Sequence, residues 1–207
     1  MYKAKKWFFA LSFVIAGCQS TTKLDMGYVA DLRSGAEITT ESIIAVMPND
    51  KGNIAESGKY ISAVVSEMRK KGYVNTFSAN EITQSKRQAD LALLVNVDVK
   101  NESYTKTEQT YKTETSRANG YPVRVNLPDS SRVVMESKTV YVVSLDLFDS
   151  ASKTQVLSVM GYSTDEKCRN NIEDLLVQET LSRLEMQNTK NYQYRVEVPR
   201  SLECTKG

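Results

Sequence analysis

The chain has 207 residues, with 27 Lys and Arg against 25 Asp and Glu, and no histidine. Without His there is no Ser-His-Asp or Cys-His catalysis, no His-ligated zinc and no imidazole base. The near-balanced charge offers no basic patch for nucleic acid. The nine glycines are scattered, and no Gly-x-Gly pair marks a phosphate-binding loop.

The chain opens with Lys3, Lys5 and Lys6, followed by an apolar run from Trp7 to Ala16. About ten apolar residues suit a signal peptide, whereas a membrane span needs about twenty. The run ends in Ile15-Ala16-Gly17-Cys18, which resembles the lipobox of bacterial lipoproteins. That resemblance implies cleavage of residues 1–17, lipid on Cys18 and a membrane anchor. The alternative is an ordinary secretory peptide with a chance cysteine. Gln19 stands where an Asp commonly holds enteric lipoproteins in the inner membrane, so by that analogy the outer membrane is favoured, facing the periplasm or the cell surface. Removing the three lysines leaves 24 basic against 25 acidic residues, a net of −1.

Residues 18–41 are polar and show no sustained period, so they are expected to be a flexible tether of roughly 25 Å. Residues 42–207 read as one α+β domain. Ser42 to Pro48 is a β-branched run ending in Pro-Asn-Asp, a strand and turn. Ile54, Ile61, Val64, Val65 and Met68 recur at helical spacing. With Asn53 as N-cap and Gly72 past the end, they predict one amphipathic helix of about 18 residues. Tyr73 to Phe77 is a further short strand.

From Asp90, Leu91, Leu93, Val95, Val97 and Val99 fall on one face by period two, and strand propensity persists past Asn101 while the face turns polar. A second long run begins near Val133, turns at 149–153 and returns as a strand to Tyr162. Asn170-x-x-Glu173 has capping-box spacing, and Ile172, Leu175, Leu176 and Leu184 make a helical stripe. Tyr192 to Val198 is a last short strand. The expected architecture is an antiparallel sheet with two amphipathic helices packed on one face and a long hairpin extension.

Cys168 and Cys204 are an even pair in an oxidising compartment, and a disulfide between them is expected. It would close a loop of about 37 residues, worth about 4 kcal/mol in the chain-entropy model. Free thiols or a metal pair are the alternatives, although two Cys without His make a poor zinc site. No metal and no cofactor are expected. The acidic residues Asp25, Asp31, Asp50 and Asp90 are not spaced as a calcium loop.

Two features invite a binding role. In the Thr- and Tyr-rich stretch from Tyr104 to Tyr111, the tyrosines offer rigid amphipathic contact area. Against this stands a solvated hairpin whose Thr and Tyr merely suit extended backbone, with alternating charges defending its edge. The second is the segment Arg117 to Arg124, with Tyr121 between its arginines, expected as a long loop. Its bland counterpart is a flexible hairpin tip. Tyr104, Tyr111, Arg117, Tyr121 and Arg124 are the candidate partner-binding residues.

The order Lys71-Gly72-Tyr73, then Ala89-Asp90-Leu91, then a Tyr-bearing insertion, then Leu145-Asp146-Leu147-Phe148-Asp149 resembles the bacterial lipoproteins of domain of unknown function 4136, over about residues 42–187. The chain departs from them in an insertion richer in Thr than Gly and in its tail ending near Cys204. The same order is similar to small envelope domains like the N-terminal domain of TolB. Neither resemblance implies catalytic residues. The absence of catalytic chemistry, together with a tether, a folded domain and Tyr-bearing loops, points to a non-enzymatic envelope lipoprotein that binds an envelope protein partner. A carrier or sensor of a small apolar ligand is the rival expectation.

Overall fold

A computed structural model describes residues 21–35, 37–118, 121–164 and 171–199. Cys18, Cys168, Asn170 and Cys204 lie outside them, so the lipid site, the disulfide and the Asn170 cap are not described.

The protein is a mixed α/β fold with seven strands and four helices: β1 (Thr21–Leu32), β2 (Ile44–Pro48), α1 (Ile54–Lys59), α2 (Ile61–Lys70), β3 (Thr76–Ser78), α3 (Ala79–Ser85), β4 (Leu91–Ala118), β5 (Tyr121–Asp149), β6 (Gln155–Ser163), α4 (Ile172–Arg183) and β7 (Lys190–Pro199). All seven strands form one sheet in the order β3-β2-β4-β5-β6-β1-β7.

The sheet is mixed, which corrects the expectation of an antiparallel one. β2 runs parallel to both β3 and β4. The cause is in the connections: α1 and α2 link β2 to β3, and α3 links β3 to β4, so helices carry the chain back between parallel strands. The remaining neighbours are antiparallel.

The expected tether is also corrected. From Thr21 the chain is strand β1, held between β6 and β7. Leu24, Met26, Tyr28 and Ala30 alternate inward and are buried. They join Val64, Met68, Leu93, Leu145, Leu157 and Leu176 in one hydrophobic cluster. Burying such side chains outweighs the polar character of Thr21, Thr22, Lys23 and Asp25 between and before them.

The single long helix is two, broken at Tyr60 (φ −96°, ψ −5°). Asn53 caps the first through Oδ1, which accepts from the Glu56 N–H at 3.1 Å. Gly72 takes the left-handed conformation (φ 98°) past α2, as its position predicted. The short helix α3 escaped the sequence reading although Ser78 and Glu81 close a capping box around its start. The N-cap of α4 is Asn171, without a side-chain cap bond.

Because β1 belongs to the core, Leu24→Ala is expected to cost about 2–5 kcal/mol of unfolding free energy. Urea denaturation of the chain starting after Cys18 measures this. A change near zero would return β1 to the role of tether.

Candidate interaction surface

The long hairpin is built by β4 and β5, paired from Leu91↔Asp149 to Ala118↔Tyr121. Only its base belongs to the sheet. β2 accompanies β4 no further than Val95, and β6 accompanies β5 no further than Tyr141. From Lys100 to Ala118 no other described strand pairs with either of the two, over about 60 Å at the usual rise per residue. One irregularity lies between Thr110 and Tyr111, where the register moves from Ser130 to Pro128.

The two faces of this ribbon differ in charge. Between Lys100 and Glu108, and between Arg132 and Val140, the even positions share a face. They hold Lys100, Glu102, Lys106, Glu108, Arg132, Glu136 and Lys138. Ion pairs cross the strands: Arg132–Glu108 at 2.9 Å, Lys138–Glu102 at 3.4 Å and Lys106–Glu136 at 3.5 Å. Tyr104 donates its hydroxyl to Glu136 Oε2 at 2.6 Å. That bond, aided by Lys106, holds the Glu136 carboxyl below its ordinary range and pushes the Tyr104 hydroxyl above its own. Exposed pairs of this kind contribute little to stability, but they neutralise the face locally.

The opposite face carries the odd positions from 99 to 109 and from 131 to 141, and none of them is charged. It continues the row of Leu93, Val95 and Val97, which is core inside the domain. At Val97 that row still has a helix beside it, since the Val97 N–H donates to Ser57 Oγ of α1 at 3.0 Å. Beyond it Val99, Val133 and Met135 are exposed, the last two at 71% and 75%.

The predicted site residues divide accordingly. Tyr104 lies on the charged face, engaged with Glu136. Tyr111 is exposed and, seven residues on, occupies the opposite face. Arg124, opposite Thr115, and Arg117, opposite Pro122, fall in rows on the Tyr111 side, so the uncharged stretch ends at the irregularity; Tyr121 is opposite Ala118. The segment expected as a long loop is therefore paired strand on both sides of residues 119–120. Val133 and Met135 were not among the candidates; the sequence reading placed only the start of a second long run near Val133. The signal available was charge at 132, 136 and 138 against its absence at 131, 133, 135 and 137.

Two open depressions lie elsewhere. One, of about 410 Å³, sits over Gly27 and is bordered by Tyr162, Gln193, Asp25 and Arg195. The ring of Tyr162 covers Gly27 so closely that a Cβ there would lie 2.1 Å from it. Asp25 and Arg195 are occupied with each other at 2.6 Å. The second, of about 620 Å³, lies along α2 and the start of α3 beside Arg69 and Glu81. In the second, the Ser78 hydroxyl donates to Glu81 Oε2 at 2.9 Å, a bond that belongs to the capping box of α3. Among the described residues, no group of three or more Cys, Asp or Glu could hold a metal, and no helix is long and apolar enough to cross a membrane.

Glu173, at the start of α4, is the one described carboxyl pushed above its ordinary range, first by burial and then by the charge of Glu56. A group that binds its proton more tightly folded than unfolded stabilises the fold below its unfolded pKa, and loses that contribution as pH rises through the folded value. At neutral pH the ionised Glu173 is therefore a cost. Glu173→Gln is expected to raise Tm at pH 7, with the gap closing as pH falls through the carboxylate range; thermal melts across pH 3–8 measure it.

No family model matches the chain, and no curated protein matches it. Among solved structures, a PelC dodecamer from Paraburkholderia phytofirmans is similar at 17% identity and a TM-score of 0.42, covering 77% of this chain and 99% of the other. A point variant of the same PelC gives 17% and 0.41, over 78% and 99%. A PDZ domain protein from Parabacteroides distasonis gives 10% and 0.37, over 86% and 40%. With TM-scores below 0.5, none of these likenesses assigns the chain a family or a function.

Proposed function

We propose that the protein is a non-enzymatic envelope lipoprotein, lipidated on Cys18 at the outer membrane, whose β4–β5 ribbon is the contact surface for another envelope protein. The observation that carries this is the ribbon itself. About 60 Å of paired strand stands outside the hydrophobic cluster, and over its inner half, rows 99–109, the charges are sorted to one face. A hairpin of two strands adds little to the stability of the domain, so its length serves something other than the core. The charged face, with Tyr104 and its crossed ion pairs, suits a polar protein partner selected by charge complementarity. Kinship with the lipoproteins of domain of unknown function 4136 is part of the same proposal, as is the Cys168–Cys204 disulfide. The rival carrier of a small apolar ligand gains no support from the described interior, where Leu24, Tyr28, Met68 and Leu145 fill the space between strands and helices.

The ribbon can be shortened in register. Ser103 faces Ser137, so removing residues 104–136 and closing with Asn-Gly keeps the pairing below intact. The shortened chain is expected to keep the parent's Tm within about 5 °C, because no buried cluster residue is lost. Cross-linking in living cells, followed by purification and identification of partners, is expected to capture one dominant envelope protein with the full chain and lose it with the shortened one. Retention of that partner by the shortened chain would move the contact off the ribbon. Cys18→Ser is expected to abolish incorporation of labelled palmitate; continued labelling would refute the anchor.

A further inference from the structure

The strands fix where the anchor sits relative to the ribbon. Met26 pairs with Ser163, and Ser163 pairs with Tyr141, so these three residues share one row across the sheet. Leu32, Leu157 and Leu147 share another. Strand β1 therefore runs in the same direction as β5, from the ribbon end of the domain inward. Five residues before Met26, Thr21 reaches the level of Glu136, alongside the ribbon's base. Cys18 precedes Thr21 by three peptide links, a contour of at most about 11 Å. A lipid on Cys18 thus brings the bilayer to the end of the domain from which the ribbon emerges, and the ribbon extends about 50 Å beyond that level.

A lone ribbon cannot continue into hydrocarbon. Among the described residues, neither edge has a neighbouring strand past Val95 and Tyr141, and unpaired backbone groups are excluded from the bilayer core. Its charged face would also have to be desolvated. The course that satisfies both constraints is along the surface, with the charged face in water. Resting on the Cys18 anchor proposed above, we infer that the inner half of the ribbon lies on the bilayer surface with its uncharged face, carrying Val99, Val133 and Met135, against the lipid head groups. The apolar side chains exposed on that face and its lack of charge between rows 99 and 109 suit an uncharged lipid surface, and the opposite face stays free for the protein partner. Each residue contributes little, but the anchor supplies a high effective concentration, so no independent affinity is required.

The test uses the mature chain from Cys18 to Gly207. Its N-terminal cysteine is joined to a thioester lipid, a reaction that only an N-terminal cysteine completes. The product is inserted into phosphatidylcholine vesicles. An environment-sensitive fluorescent amino acid replaces Val133, Val134, Met135 and Glu136 in turn, and each chain is checked for parental circular dichroism. Nitroxide lipids labelled near the head group are expected to quench positions 133 and 135 about twofold or more over 134 and 136, following the two-residue period of the strand. Equal or negligible quenching at all four overturns the inference. Quenching by nitroxides at the acyl-chain ends overturns it too, in favour of copies whose edges pair across the membrane. Alternation in the probe's own emission, already present without vesicles and unchanged by nitroxide lipids, assigns the face to a second copy instead. The lipid is attached chemically, so failure of Cys18→Ser to abolish palmitate labelling in cells would sink the anchor and leave this result standing.

Discussion

The ladder between β4 and β5 does two jobs with one continuous register. Its inner rows, from Leu91↔Asp149 to Val97↔Val143, supply the middle of the sheet and several of its most buried side chains. Its outer rows leave the domain altogether. No turn or bulge separates the two parts, so the core fixes the direction and rotation of the ribbon. The row that is core at Val95 and Val97 becomes the uncharged face at Val99, and the row holding Asn96 and Asp98 becomes the charged one. The side-chain period of two leaves no freedom in this, since a slip of one residue would bury Asp98 and expose Val97. Core packing therefore dictates how the exposed surface is presented.

Much of this was legible in the sequence. The alternation from Leu91 to Val99, the turn at 149–153, the return strand and the helical stripe of α4 all appear where the periods placed them. Strand β1 was missed for a physical reason. Its inward residues Leu24, Met26, Tyr28 and Ala30 keep a strict period, but Asp25 and Gly27 stand between them, and polar residues precede them. The parallel pairing of β2 could not be read from β2 itself, because strand order is a tertiary property. The alternation of strand, helix, strand was its only trace. Helix α3 is too short to show a stripe, and none of its residues is buried, so the Ser78 and Glu81 spacing was its whole signal.

The surface was legible only in part. Gly120, Tyr121 and Pro122 suggested a loop, yet Pro122 lies in paired strand. Proline is tolerated there because β5 has a single neighbour at that point, and an N–H on the open side is not needed. Tyr104 and Tyr111 were singled out together, but an odd separation puts them on opposite faces, so they cannot belong to one patch. What the composition hid was segregation. A stretch with mixed signs and near-zero net charge looks uniform along the chain, and becomes two unlike surfaces only when the strands are laid side by side.

The position of β1 also bears on the order in which the protein can be completed. β1 is the first described strand, and its partner β7 is the last, with Thr21 opposite Pro199 and Asp25 bonded to Arg195 across 170 residues. Synthesis delivers β1 first and β7 last. Until the C-terminal end arrives, one side of β1 has no partner, and the buried row containing Leu24 and Tyr28 is incomplete. Contacts of such long separation close slowly. The sheet therefore cannot be completed before β7 has been made.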